Sequence, residues 1–124
     1  MSLVNYTHLT IECLDCEKDR LNAASQVRQA LREAASICKL HILNEHLHEF
    51  LPQGITGYVL LSESHISIHT WPEKGFAVID VLSCASVQID LLIECFRKSM
   101  KAKTIDVRRH AQESSEASSF AKCL

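Results

Sequence analysis

The sequence predicts an α/β (α+β) domain: a two-layer sandwich in which an antiparallel sheet carries two helices on one face. Three observations lead there. Stretches that alternate every second residue and stretches with apolar residues at every third or fourth follow in the order strand, helix, strands, helix, strand. The links between strands are short, which favours antiparallel neighbours over crossovers. The chain has 124 residues, 47% hydrophobic and 23% charged, the size and make-up of one globular domain that buries a core without staples.

In residues 6–14, Leu9, Ile11 and Cys13 alternate with His8, Thr10 and Glu12, the period of a half-buried strand. From Asp15 to Lys39, the residues Leu21, Ala24, Val27, Leu31, Ala34 and Cys38 step by three and four along one helix face, with Asp15 or Asp19 as a cap. Leu40, Ile42 and Asn44 open a second strand that runs toward Phe50. The turn-rich LPQGITG interrupts it before GYVLLSES resumes as a strand. Ile66 and Ile68, alternating with Ser67 and His69, make the next; WPEKG is a turn and FAVIDVLSC a buried strand. SVQIDLLIECFRKSMKA reads as the second helix, with Ser86 as cap, Asp90 in its first turn, and Lys98 and Lys101 near the negative end of its dipole. TIDVRRH is the last strand. Residues 1–111 form a single domain, and the Ser-rich 112–124, without period, is expected to be a flexible tail. His8, His41, His69 and several hydroxyls alternate onto sheet faces. A second copy is the expected cover for the face without helices, giving a four-layer αββα homodimer.

Charge and composition exclude several classes. Thirteen Lys and Arg against fifteen Asp and Glu leave a net charge of −2, with no positive excess to neutralise phosphates, so no nucleic-acid partner is expected. The first residues lack a basic segment followed by an apolar one, and no apolar run approaches the ~18 residues of a membrane span. The expectation is a cytoplasmic chain that binds no membrane. The six Cys then read as reduced thiols, and Cys123, second from the end, does not fit a prenylation box. A metal-binding module is the alternative of a different class, drawing on His41, His46, His48, His65 and His69 and on the pair Cys13 and Cys16. On a strand, however, Cys13 and Cys16 point to opposite faces, and no second CxxC completes a tetrahedral site.

The chemistry concentrates in residues 60–84. All 3 Gly and both Pro (Pro52, Gly54, Gly57, Pro72, Gly75) lie within or just before this stretch, so unusual backbone geometry is requested in one place. Ser62, Glu63, Ser64, His65, Ser67, His69, Thr70, Glu73, Asp80 and Cys84 are put there. The junction at Glu63 and Ser64 has none of the Asn-Gly or Asp-Gly chemistry of a tight hairpin, so a sharp reversal there is strained, and strain collects where it is used.

The run SESHISIHTWPEKGFAVID, with GITG before it and LSC after it, closely resembles the S-adenosylmethionine decarboxylase family in its short prokaryotic form. The likeness extends from about residue 6 to about residue 110 and leaves out the tail. It implies a self-cleaving proenzyme. The serine matching Ser64 attacks the carbonyl of Glu63, an ester replaces the peptide bond, and elimination leaves chains 1–63 and 64–124, the second headed by a pyruvoyl group made from Ser64. Thr56 and His69 occupy positions of residues that assist processing, although serine is also common in the family at the place of Thr56. His69 is of a residue type suited to proton transfer near neutrality, because free imidazole titrates at about 6.5. The covalent pyruvoyl cofactor then forms a Schiff base with the amine of S-adenosylmethionine and takes up the electrons left by carbon dioxide. Cys84 matches the proton donor. Phe50 and Trp71 are candidates for stacking on the adenine, and Glu73 for a hydroxyl or charge contact. The product is the aminopropyl donor of spermidine synthesis, and no metal is implied. A closer alternative keeps the pyruvoyl group but decarboxylates ornithine or arginine.

Overall fold

The computed structural model describes residues 3–111, and the expected flexible tail at 112–124 lies outside them. Strands β1 (Thr7–Leu14), β2 (Ile42–Glu49), β3 (Ile55–Leu61), β4 (Ser64–Trp71), β5 (Phe76–Ser83) and β6 (Thr104–Arg109) form one sheet in the order β2-β3-β4-β5-β1-β6. Every neighbouring pair is antiparallel. The helical segments are α1 (Lys18–Leu21), α2 (Ala24–Ile37) and α3 (Ile89–Met100). Helices α2 and α3 lie side by side on one face, α2 over β3 and β4 and α3 over β1 and β6. Among the described residues, no helix is long and apolar enough to cross a membrane.

The alternation written in the strands decides the layers. Leu9, Ile11, Val59, Ile66, Ile68, Ile79 and Val81 meet Val27, Leu31, Leu92 and Phe96, and all are fully buried. Each large side chain withdrawn from water this way contributes about 1.5–3 kcal/mol. The opposite face carries Tyr58, Leu60 and Trp71, still 40–45% exposed, beside His8, His65, His69 and Asp80. Among the described residues nothing covers it.

Local departures from the sequence reading have physical causes. The helix expected from Asp15 to Lys39 breaks at Asn22 and Ala23, because the Asn22 side chain accepts the N–H of Gly54 at 2.9 Å instead of extending the helix. Neither Asp15 nor Asp19 caps it: Asp15 takes φ 55°, and the residues preceding α1 and α2 are Glu17 and Ala23, neither making a side-chain cap. Ser86 is likewise not the cap of α3, which starts after Gln88, while Asp90 does sit in its first turn. In β2 the register shifts between Ile42 and Asn44, so Leu43 is exposed and Asn44 does not continue the inward row; Glu45 and Leu47 turn inward instead. WPEKG closes as a single 3₁₀ turn, Pro72–Lys74, ended by Gly75 at φ 59°.

Candidate active site

The turn between β3 and β4 consists of Ser62 and Glu63 alone, since Leu61 pairs directly with Ser64. Glu63 takes φ 57°, a left-handed conformation that costs a non-glycine residue on the order of 1 kcal/mol. The reversal without glycine is therefore strained, and the strain falls on the residue before Ser64. Ser64 opens β4 and points to the helix side, 5% exposed. Its hydroxyl oxygen accepts the backbone N–H of Cys84 at 3.2 Å, and its proton is directed to Ser83 Oγ at 3.4 Å. Ser83 Oγ also accepts the N–H of Ala85 at 3.1 Å. Cys84 follows the last residue of β5 with its side chain exposed.

A second group lies at the other end of β4. Thr56 and His69 are cross-strand partners, with Thr56 Oγ1 3.0 Å from His69 Nδ1. Beside them a cleft of about 370 Å³ is lined by Phe50, Gly54, Thr56, His69, Trp71 and Glu73. The ring centroids of His69 and Trp71 are 6.3 Å apart, and those of Trp71 and Phe76 5.7 Å, so one wall is aromatic. The cleft is braced from behind. Buried Thr70 donates to Leu21 O at 2.8 Å and accepts the N–H of Ile55 at 2.9 Å, while Asn22 holds Gly54.

The sequence thus gathers in one run residues that the fold divides. Ser64 and His69 are five positions apart along one strand, about 17 Å, and point to opposite faces. Ser64, Ser83 and Cys84 form one end; Thr56, His69, Phe50, Trp71 and Glu73 form the other.

Between them on the open face is a group to which the sequence reading assigned no role. Asp80 Oδ1 is 2.8 Å from His8 Nε2, and Asp80 Oδ2 is 3.2 Å from His65 Nε2. His110 packs on His8 with ring centroids 4.4 Å apart. With Tyr6, Leu82 and Cys84, the residues His8, His65 and Asp80 line a cleft of about 400 Å³ that opens beside Cys84. The polar alternation of His8, His65 and Asp80 was visible; their meeting depends on the β1–β5–β4 ladder, which no local pattern encodes.

Cys13 and Cys16 overturn the expectation that they face apart. The left-handed Asp15 turns the chain beyond β1, both residues are buried, and their thiols share a hydrogen bond. That bond and then burial push the Cys13 thiol far up, while the same bond holds Cys16 below its ordinary value against the raising effects of burial and Asp15. Among the described residues no three His, Cys, Asp or Glu side chains converge where a metal ion could sit.

The family described as S-adenosylmethionine decarboxylase matches residues 7–113. S-adenosylmethionine decarboxylase proenzymes are among the relatives. That of Thermotoga petrophila is 38% identical over 104 residues, 83% of this chain and 80% of the relative. That of Persephonella marina is 41% identical over 100 residues, 80% of this chain and 75% of the relative. The crystal structure of the adenosylmethionine decarboxylase from Aquifex aeolicus superposes with a TM-score of 0.78 at 28% identity, covering 93% of this chain and 98% of that one.

Proposed function

The chain belongs to the S-adenosylmethionine decarboxylase family, and from that membership we propose that this carboxy-lyase matures by cutting itself between Glu63 and Ser64, leaving a pyruvoyl group at residue 64. The observation that carries the reading is the local geometry of Ser64. It follows a left-handed Glu63, and its hydroxyl is shielded from water and held by the N–H of Cys84. These residues fit the group, because a strained backbone before the scissile bond and a restrained nucleophile favour attack on an unactivated amide. The pyruvoyl group supplies an electron sink for the carboxylate lost from S-adenosylmethionine.

The chain's own residues take the remaining roles. Cys84, adjacent to Ser64 and exposed to the open face, returns a proton to the substrate carbon after carbon dioxide leaves. Phe50 and Trp71 hold the adenine in the aromatic cleft, and Glu73 contacts a substrate hydroxyl or charge. That cleft favours a flat nucleoside over the short aliphatic chains of ornithine or arginine.

The ~17 Å between Ser64 and His69 supports a homodimer whose open faces meet. A two-fold axis between the sheets and across the strands brings the Ser64 end of one copy to the Thr56–His69 end of the other. His69 from the second copy then assists cutting as the proton-transfer group, oriented by Thr56. The exposed Tyr58, Leu60 and Trp71 gain a cover in the same step.

Intact-mass measurement of freshly made protein tests the reading. Two fragments divided before Ser64 are expected: 1–63, and the slightly shorter 64–124 with a blocked N-terminus and lacking ammonia. A single uncut species with no reaction toward borohydride would refute it. Ser64→Ala should give one full-length chain.

A further inference from the structure

We infer that Ser83 and the backbone N–H of Cys84 form the pocket that receives the leaving oxygen when the chain is cut before Ser64, which makes Ser83 a catalytic residue of self-cleavage. The inference rests on the self-cleavage reading above and adds a residue to it. On β5 the helix-facing positions run Ala77, Ile79, Val81, Ser83: three apolar side chains and then a hydroxyl, all fully or almost fully buried. A buried hydroxyl in an apolar row is costly unless it is hydrogen-bonded. Ser83 spends its acceptor capacity on Ala85 N–H and on the Ser64 hydroxyl, the one group that changes chemically.

Before the cut, Ser64 is the donor and Ser83 the acceptor, at 3.4 Å, while Cys84 N–H donates to the same Ser64 oxygen at 3.2 Å. Transfer of the Glu63 acyl group to Ser64 Oγ breaks the Glu63–Ser64 C–N bond, and the hydroxyl proton passes to the freed amine nitrogen of residue 64. The two oxygens can stay hydrogen-bonded only if Ser83 rotates its own O–H toward Ser64 Oγ, a motion a serine rotor makes freely. Two donors then face the ester oxygen. In the elimination a base, the imidazole of His69 from a second copy, takes the Cα proton of residue 64. The C–H electron pair becomes the Cα–Cβ double bond, the Cβ–Oγ bond breaks, and its pair stays on Oγ, which departs as a carboxylate oxygen of Glu63. Water later replaces the nitrogen, releasing ammonia and leaving the ketone. Negative charge therefore grows on the atom that Cys84 N–H and Ser83 O–H already face, and donors fixed before the reaction stabilise such charge without reorganising.

Loss of one donor of this kind slows a step by roughly 10- to 100-fold at this contact length. The test follows full-length chain from cell-free translation by denaturing gel and intact mass, with and without hydroxylamine, which cuts esters but spares amides. Ser83→Ala should slow division by that factor and accumulate a full-length species that hydroxylamine cuts before residue 64. Because the ester forms only in folded protein, its build-up separates slow elimination from misfolding. Ser83→Thr keeps the hydroxyl and should return to within about threefold of the wild-type rate. Wild-type speed in Ser83→Ala, arrest without a hydroxylamine-sensitive bond, or a Thr variant as slow as the Ala variant would each overturn the inference. A wild-type chain that never divides would instead refute the underlying self-cleavage.

Discussion

Thr56 and His69 face each other across β3 and β4, with the threonine hydroxyl 3.0 Å from the imidazole Nδ1, on the side of the sheet from which Ser64 turns away. A dimer that joins the two ends predicts complementation. Ser64→Ala and His69→Ala chains should each remain uncut alone. Co-expressed, they should yield cut His69→Ala chain, because the Ser64→Ala copy supplies its imidazole. Mass spectrometry of differently tagged chains reads this directly. Absence of any cut His69→Ala chain would leave cutting within one copy.

Cys84 should matter to the decarboxylation and not to the cut, since only its backbone contacts Ser64. Cys84→Ala is expected to divide normally and to lose about 10²-fold or more in kcat. Among the described cysteines, Cys84 should also be alkylated first by iodoacetamide, because Cys13, Cys16, Cys38 and Cys95 are buried. Intact mass and steady-state kinetics check the first point, and peptide mapping after short exposure checks the second.

Gly54 takes φ 106°, and an added Cβ would lie 3.3 Å from the Thr70 carbonyl oxygen. Gly54→Ala should therefore cost about 1–3 kcal/mol. Because the strain falls on the turn that carries Phe50, KM should rise more than kcat falls. Thermal unfolding and steady-state kinetics on the same preparation separate the two effects.

The Cys16 thiol is lowered chiefly by its hydrogen bond with Cys13. Removing that donor removes the stabilisation of the thiolate, so its pKa rises. Cys13→Ala should shift the pH midpoint of Cys16 alkylation upward and slow its labelling at neutral pH. A midpoint that stays or falls would contradict the pairing.

Elements set by side-chain period were legible in the sequence. Leu9, Ile11 and Cys13 gave β1, and Val27, Leu31 and Ala34 gave the buried face of α2, because each pattern is local. The break at Asn22 was not, since its reason is the N–H of Gly54, 32 residues away. The bulge after Ile42 was hidden for a related cause: register belongs to a pair of strands and not to either one. At the site, Ser64, His69 and Cys84 could be named from one stretch. That stretch could not disclose that Ser64 and His69 diverge, nor that Ser83 joins the first group and Asp80 links His8 to His65.

The strand order has a consequence for the proposed self-cleavage. Residues 1–63 supply β1, β2 and β3, and residues 64 onward supply β4, β5 and β6, yet β1 is threaded between β5 and β6. The β3–β4, β5–β1 and β1–β6 ladders all run from one piece to the other. Severing the peptide before Ser64 therefore opens a loop without releasing a fragment. Two polypeptides made by that cut would remain woven through one sheet, so the pieces should co-migrate until denatured and, made separately, should not readily reassemble.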